Sequence, residues 1–117
     1  MKKQYRVKKS NEIEKILNTG RYAYDSYFTV YKINNPQTIN FRYAISVGKK
    51  LGNAVLRNRI KRQIRAIIDS FDINLDNNID IFIIAKKNVV SIDFKTMKSS
   101  LENLLKKQKL IKGEKNA

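Results

Sequence analysis

One segment, Ile79 to Ala85, limits the folds open to this chain more than any other. Its sequence, IDIFIIA, is almost continuously apolar, which is typical of a central strand covered on both faces of its sheet. A strand at about residues 40–47 and then a helix are predicted before it. Because a helix separates the two strands, we expect them to run parallel. The segment therefore predicts a sheet that is packed against helices.

The rest of the 117 residues form short periodic segments around this strand. Apolar residues at helical spacing predict helices, and alternating apolar residues predict strands. The predicted elements are a helix over about residues 10–18, a β region from Tyr22 to Ile33, the strand at 40–47, a helix from Asn53 that ends near Asp72 to Asn78, and a last helix capped by Ser91 or Asp93. With Ile79–Ala85 this order, αβββαβα, predicts an α+β sandwich with a four-stranded mixed sheet. We expect one domain over residues 1–117, with a Lys-rich tail that frays from about Lys106.

Positive charge is concentrated in the middle of the chain. There are 25 Lys and Arg against 10 Asp and Glu, a formal net charge of +15, and no acidic residue lies between Ser26 and Ile68. Such a charge indicates an anionic partner. The longest apolar run, Ile81 to Ala85, is too short to span a bilayer, and no apolar stretch follows the basic N-terminus as in a secretory signal. Nucleic acid is therefore the expected partner, no membrane is expected, and the expected location is the cytoplasm.

Several catalytic chemistries lack their residues. The chain has no cysteine and no histidine, which excludes thiolate nucleophiles, histidine-based triads and the commonest metal ligands. A stand-alone metal nuclease needs clustered carboxylates, whereas the acids here are scattered and several sit at helix ends or in turns. We therefore predict no catalytic residue and no metal ligand in the protein. A ribosomal protein or an RNA chaperone remains compatible with the composition and the fold class.

The densest positive charge lies in residues 49–65, KKLGNAVLRNRIKRQIR, where seven residues are basic and none is acidic. Leu56, Ile60 and Ile64 fall on one face of the predicted helix, so the basic side chains take the opposite arc. Guanidinium and ammonium groups bind phosphate oxygens, and a rigid cationic helix gains affinity by releasing counterions. The helix offers few mixed polar side chains for reading base edges, so DNA is not expected as a partner.

The stretch SVGKKLGNAVLRNRIKRQIR resembles the signature of the bacterial ribonuclease P protein subunit family, whose hallmark is an Arg-Asn-Arg helix, here Arg57-Asn58-Arg59. The resemblance extends along nearly the whole chain and implies a ribosomal protein S5 domain 2-like fold. It also implies a protein that binds the large catalytic RNA of ribonuclease P and the 5′ leader of precursor tRNA. In that family the RNA removes the leader with Mg²⁺ that it mainly holds itself, and the protein alone is not catalytic.

The resemblance implies two sets of site residues. The first, here named the basic ridge, would contact RNA and comprises Lys49, Lys50, Asn53, Arg57, Asn58, Arg59, Lys61, Arg62 and Arg65. The second would line a cleft for the leader between the first helix and the sheet and comprises Ile13, Leu17, Phe28, Tyr31, Lys86 and Lys87.

The second set, here named the leader set, leaves alternatives open. Many family members carry aromatic residues at the positions of Ile13 and Leu17, so this chain keeps an apolar wall there without rings for base stacking. Both residues can equally belong to the core. Tyr31 is predicted either to contact the leader or to pack inside, and Phe28 favours the core. Periodicity alone does not tell which face of the strand lines the cleft.

Overall fold

The computed structural model describes residues 10–34, 42–71, 79–108 and 110. The helices are α1 (Ser10–Thr19), α2 (Ala54–Ser70) and α3 (Phe94–Lys107), and the strands are β1 (Arg21–Tyr24), β2 (Phe28–Asn34), β3 (Arg42–Val47) and β4 (Ile79–Ala85). Short 3-10 helices, Lys49–Leu51 and Lys87–Ser91, follow β3 and β4. The order αβββαβα confirms the prediction. The turn expected near Pro36 and the tail beyond Leu110 lie outside the described residues.

The four strands form one mixed sheet in the order β1-β2-β4-β3. Strand β2 pairs antiparallel with both β1 and β4, whereas β3 pairs parallel with β4, as the intervening helix predicts. Strand β4 is central, and each of its residues except Ile84 is buried. Its apolar sequence therefore reflects contact with helices on both sides of the sheet.

The two faces of the sheet carry cores of different size. The main core joins α2 and α3 to one face and includes the fully buried Val30, Ile64, Ile83 and Leu101. On the other face, here named the α1-side face, α1 contributes Ile16 to a small cluster. That cluster contains buried Phe82 and the partly buried Ile13, Tyr31, Ile33, Ala44 and Ile84. The smaller cluster leaves part of this face half-exposed.

A buried ion pair explains the one acidic residue in β4. The strand register places Arg42 opposite Asp80, and the Arg42 Nε and Nη2 atoms donate to the two carboxylate oxygens at 2.9 and 2.7 Å. Asp80 is only 1% exposed. A buried carboxylate needs such a two-pronged partner, so Arg42 is held by the fold.

Helix α3 begins at Asp93, whose carboxylate accepts a hydrogen bond from the Thr96 backbone N–H at 2.8 Å. Hydrogen bonds from the Thr96 side chain and backbone lower the pKa of Asp93 below its usual value of 3.8. Of the two caps predicted for this helix, Asp93 is therefore the one used.

The fraying expected from about Lys106 stays a prediction, and the described residues of this segment contact the sheet and the main core. Helix α3 continues to Lys107, and Leu110 is fully buried in the main core. The Gln108 Nε2 atom donates to the Val30 carbonyl at 3.0 Å, and the Gln108 carbonyl accepts from Lys32 Nζ at 3.0 Å. The Lys-rich composition conceals these contacts, which hold the chain against the sheet as far as Leu110.

Candidate nucleic-acid interface

The basic ridge begins in the turn between β3 and α2. Lys49 and Lys50 are exposed in the 3-10 helix that follows β3. The turn ends at Gly52, whose φ of 151° favours glycine, and a Cβ atom at this position would lie only 2.6 Å from Leu56 Cδ2. The Gly52 carbonyl accepts a hydrogen bond from Arg57 Nε at 3.1 Å. The turn therefore fixes the orientation of the first ridge arginine.

Asn53 is the N-cap of α2. Its Oδ1 atom accepts a hydrogen bond from the Leu56 backbone N–H at 2.9 Å, and its side chain is exposed. This bond satisfies one of the free donors at the start of the helix. Asn53 therefore has a structural role at the ridge, and its contact with RNA stays a prediction.

The rest of the ridge follows the outer side of α2. The inner side buries Ile60, Ile64, Ile67 and Ile68. Asn58, Arg59 and Arg62 are exposed, whereas Arg57, Lys61 and Arg65 are half-buried. From residue 57 to residue 65 the helix rises roughly 12 Å. Asp69, the first acidic residue along α2, marks the end of the positive strip.

Among the described residues, the ridge cations are not neutralised by carboxylates of the protein. In the described parts of the chain, the ion pairs join Arg42 to Asp80 and Lys106 to Glu102, and no carboxylate there pairs with a ridge side chain. The Arg65 Nε atom is buried without a hydrogen-bond partner among the described residues. The sequence places all these residues on one helix and the turn before it, and the structure keeps them on the side of α2 that faces away from the main core.

The α1-side face holds three of the predicted leader residues. Ile13 and Tyr31 pack into the small cluster around Phe82 and are partly buried. Leu17 lies on the same helix as Ile13 but is 40% exposed. Ile16, which the sequence does not distinguish from its neighbours, is instead the buried anchor of α1. Tyr31 therefore combines core contact with partial exposure on this face.

Phe28 lies in the core, the alternative that the sequence favours, and not beside the other predicted leader residues. It is 0% exposed and belongs to the main core, on the face of the sheet that α2 and α3 cover. Side chains alternate along β2, so Phe28 and Tyr31 point to opposite faces. Phe28 cannot line a surface on the α1 side.

Lys86 and Lys87 lie at the same end of the sheet as the start of the ridge. Because β3 and β4 are parallel and Val47 is opposite Ala85, the segments that follow the two strands begin at the same end of the sheet. Lys87 is exposed. Lys86 Nζ donates to the Asp25 carbonyl at 2.6 Å and lies 4.9 Å from the centroid of the Tyr24 ring. Positive charge therefore continues from the ridge around this end of the sheet.

The predicted β region contains Tyr22 and Tyr24, but neither belongs to the predicted site residues. Both are exposed, by 60% and 62%, on β1. Tyr22 lies opposite Tyr31 in the strand register, and their ring centroids are 5.4 Å apart. The alternation of two tyrosines in a short strand is a sequence signal that both rings lie on one face of it. In an edge strand that face can remain exposed.

Neither a cluster of metal ligands nor a membrane-spanning helix is found in the described parts of the chain. There, no group of three acidic side chains is placed to hold a metal ion. The helices in those parts are too short or too polar to cross a membrane.

The fold and the site together define a small, basic α+β protein with a cationic helix on its surface. The ribonuclease P family model matches residues 1–109. The ribonuclease P protein component of Listeria innocua is 37% identical over 116 residues, which cover 99% of this chain and 98% of the relative. That of Bacillus cereus is 38% identical over 107 residues, 92% and 93% of the two chains.

The chain is also similar to solved structures of RNase P proteins. A Staphylococcus aureus RNase P protein mutant with defective mRNA degradation activity has a TM-score of 0.86 and 39% identity over 93% of this chain and 92% of its own. The RNase P protein of Thermotoga maritima has a TM-score of 0.76 and 30% identity over 92% and 98%. The chain belongs to the family of bacterial ribonuclease P protein components. The predicted family and the predicted fold class are both confirmed.

Proposed function

We propose that this chain binds the catalytic RNA of ribonuclease P through the basic ridge and the 5′ leader of precursor tRNA over the α1-side face. The assembled particle removes the leader endonucleolytically in tRNA 5′-end maturation, and it does so in the cytoplasm. The observation that carries the proposal is the ridge itself, a cationic helix with no carboxylate partner in the described chain. A polyanion supplies the missing counter-charge.

The chemistry in this proposal belongs to the RNA. Mg²⁺ is held mainly by the RNA, and the protein lowers the electrostatic cost of bringing a second RNA, the precursor, close to the first. Cations on the ridge neutralise phosphates and release counterions. Lys86 and Lys87 add positive charge where the leader would enter the α1-side face. The protein alone is therefore expected not to cut precursor tRNA.

Binding to two RNAs tests the ridge assignment. Labelled bacterial ribonuclease P RNA and a ribosomal RNA fragment of similar length are titrated with the protein at one salt concentration. We expect tighter binding to the ribonuclease P RNA, and a large loss of affinity in the double variant Arg59→Glu, Arg62→Glu. The double variant Lys95→Glu, Lys98→Glu, at two exposed lysines on α3, changes the net charge by the same amount. It is the matched control and should bind almost as the parent does.

Two results would contradict the ridge assignment. Equal affinity for both RNAs would favour a ribosomal or general RNA-binding role. Equal losses in the ridge double variant and in the Lys95, Lys98 control would mean that net charge, and not the ridge, determines binding.

A further inference from the structure

Three tyrosine rings lie side by side on the α1-side face. The ring centroids of Tyr22 and Tyr24 are 6.1 Å apart, with an interplanar angle of 31°, and those of Tyr22 and Tyr31 are 5.4 Å apart at 38°. Tyr31 is partly buried, whereas Tyr22 and Tyr24 are 60% and 62% exposed. Core packing accounts for Tyr31. It leaves most of the surface of the other two rings in water.

The strand register sets these rings next to the predicted leader surface. Tyr22 is opposite Tyr31, and Tyr31 is opposite Phe82, so these three side chains form one row across the face. Tyr24 is opposite Thr29, which is opposite Ile84, and begins the neighbouring row. Both rows lie beside α1, whose sequence SNEIEKILNT contains no aromatic residue. In the described chain, the exposed rings on this face therefore come from β1.

The charges around the rings favour an anionic ligand. Lys86 Nζ lies over the Tyr24 ring at 4.9 Å from its centroid. The nearest acid along the chain, Asp25, is turned away: its carboxylate accepts from the backbone N–H groups of Tyr27 and Phe28 at 2.8 and 2.9 Å and from the Ser100 hydroxyl. The rings therefore lie beside a positive charge. The Asp25 carboxylate in the neighbouring turn is already engaged by other groups.

We propose that Tyr22 and Tyr24, together with Lys86, form a stacking platform for unpaired bases of single-stranded RNA. The proposal rests on the proposed function and deepens it, because it extends the leader surface from α1 to the edge strand β1. Single-stranded RNA fits because each base offers a face for stacking while the phosphates meet Lys86. A duplex does not fit, because its bases are already stacked on one another.

The sharpest test separates base stacking from phosphate binding. The protein is assembled with bacterial ribonuclease P RNA and titrated with two precursor tRNAs, one with an ordinary leader and one whose leader is abasic but keeps its phosphates. We expect the abasic leader to reduce affinity by at least about fivefold for each stacked base lost, because base–aromatic stacking contributes about 1–3 kcal/mol. The double variant Tyr22→Leu, Tyr24→Leu should lose this discrimination.

Matched variants identify the ring as the cause. Tyr22→Phe with Tyr24→Phe keeps both rings and should discriminate as the parent does. Phe94→Leu removes a ring that is 43% exposed on α3, away from the platform, and should also leave discrimination intact. All variants should retain the parent's melting temperature and its affinity for the ribonuclease P RNA. A leucine double variant that still discriminates fully would overturn the platform.

A second measurement separates failure of the platform from failure of the proposed function. The chain has six tyrosines and no tryptophan, so its tyrosine emission can be followed directly as intact or abasic single-stranded RNA is added. The platform is supported if the intact strand quenches the emission of the parent protein but not that of the leucine double variant. This holds even if the assembled particle ignores the leader. Absence of that quenching overturns the platform even if the particle still cleaves precursor tRNA.

Discussion

At the residue scale, Asn53 can be separated into a structural and a binding role. Its Oδ1 atom caps α2 through the Leu56 N–H. Asn53→Ala should lower the free energy of unfolding by about 1 kcal/mol, whereas Asn53→Ser should change it far less, because serine caps nearly as well. Urea denaturation measures both. If the serine variant is stable but binds ribonuclease P RNA weakly, Asn53 also contacts RNA; an alanine variant as stable as the parent would contradict the capping role.

Phe28 should stabilise the fold without contacting the leader. Because it is fully buried, Phe28→Leu should reduce the free energy of unfolding by about 1 kcal/mol through imperfect packing. It should leave the gain in affinity that a leader gives to precursor tRNA unchanged, since the side chain points away from the α1-side face. A variant with parental stability and weaker leader binding would show that the ring reaches the ligand.

Sequence patterns predict which residues of a strand share a face of the sheet, but not how deeply each side chain is buried. The alternation along β2 separates Phe28 from Tyr31, yet which of the two faces is more deeply covered depends on how α1, α2 and α3 dock. The same applies to Asp80, whose partner Arg42 is determined by strand register and not by distance along the chain. The exposure of Tyr22 and Tyr24 likewise follows from the edge position of β1.

At the scale of elements, α2 should behave as a polyelectrolyte ligand. The observed affinity for ribonuclease P RNA should fall steeply with salt, and Arg62→Ala should flatten the log–log slope by about 0.7 to 0.9 if Arg62 neutralises one phosphate. Affinity measured over a range of salt concentrations gives the slope. Lys98→Ala, an exposed site on α3, should leave the slope unchanged. A parental slope for the Arg62 variant would place that guanidinium in solvent.

The elements themselves were largely predictable. Helical spacing in α2 and α3 and the apolar run of β4 are local signals, and the parallel pairing of β3 with β4 follows from the helix between them. The sheet order β1-β2-β4-β3 depends on contacts between distant residues, so periodicity does not reveal it. The short 3-10 helices after β3 and β4 carry too few residues to show a period.

At the scale of the whole molecule, the net charge of +15 should make stability depend on anions. Like charges repel in the free protein, and an anion that binds the folded state stabilises it by mass action. Millimolar sulfate or phosphate should raise the melting temperature by several degrees compared with chloride at equal ionic strength. Thermal melts followed by circular dichroism test this. Coinciding melts in sulfate and chloride would mean that the folded protein has no anion-binding surface of this strength.

Reconstitution of leader cleavage shows whether this protein is the partner of the ribonuclease P RNA. A precursor tRNA is incubated at low Mg²⁺ with bacterial ribonuclease P RNA alone, with this protein alone, and with both. We expect efficient cleavage only in the mixture, because in the proposed function the RNA carries the chemistry, while the basic ridge and the α1-side face strengthen binding of RNA and leader. Cleavage by the protein alone, or a mixture no more active than the RNA alone, would contradict this claim.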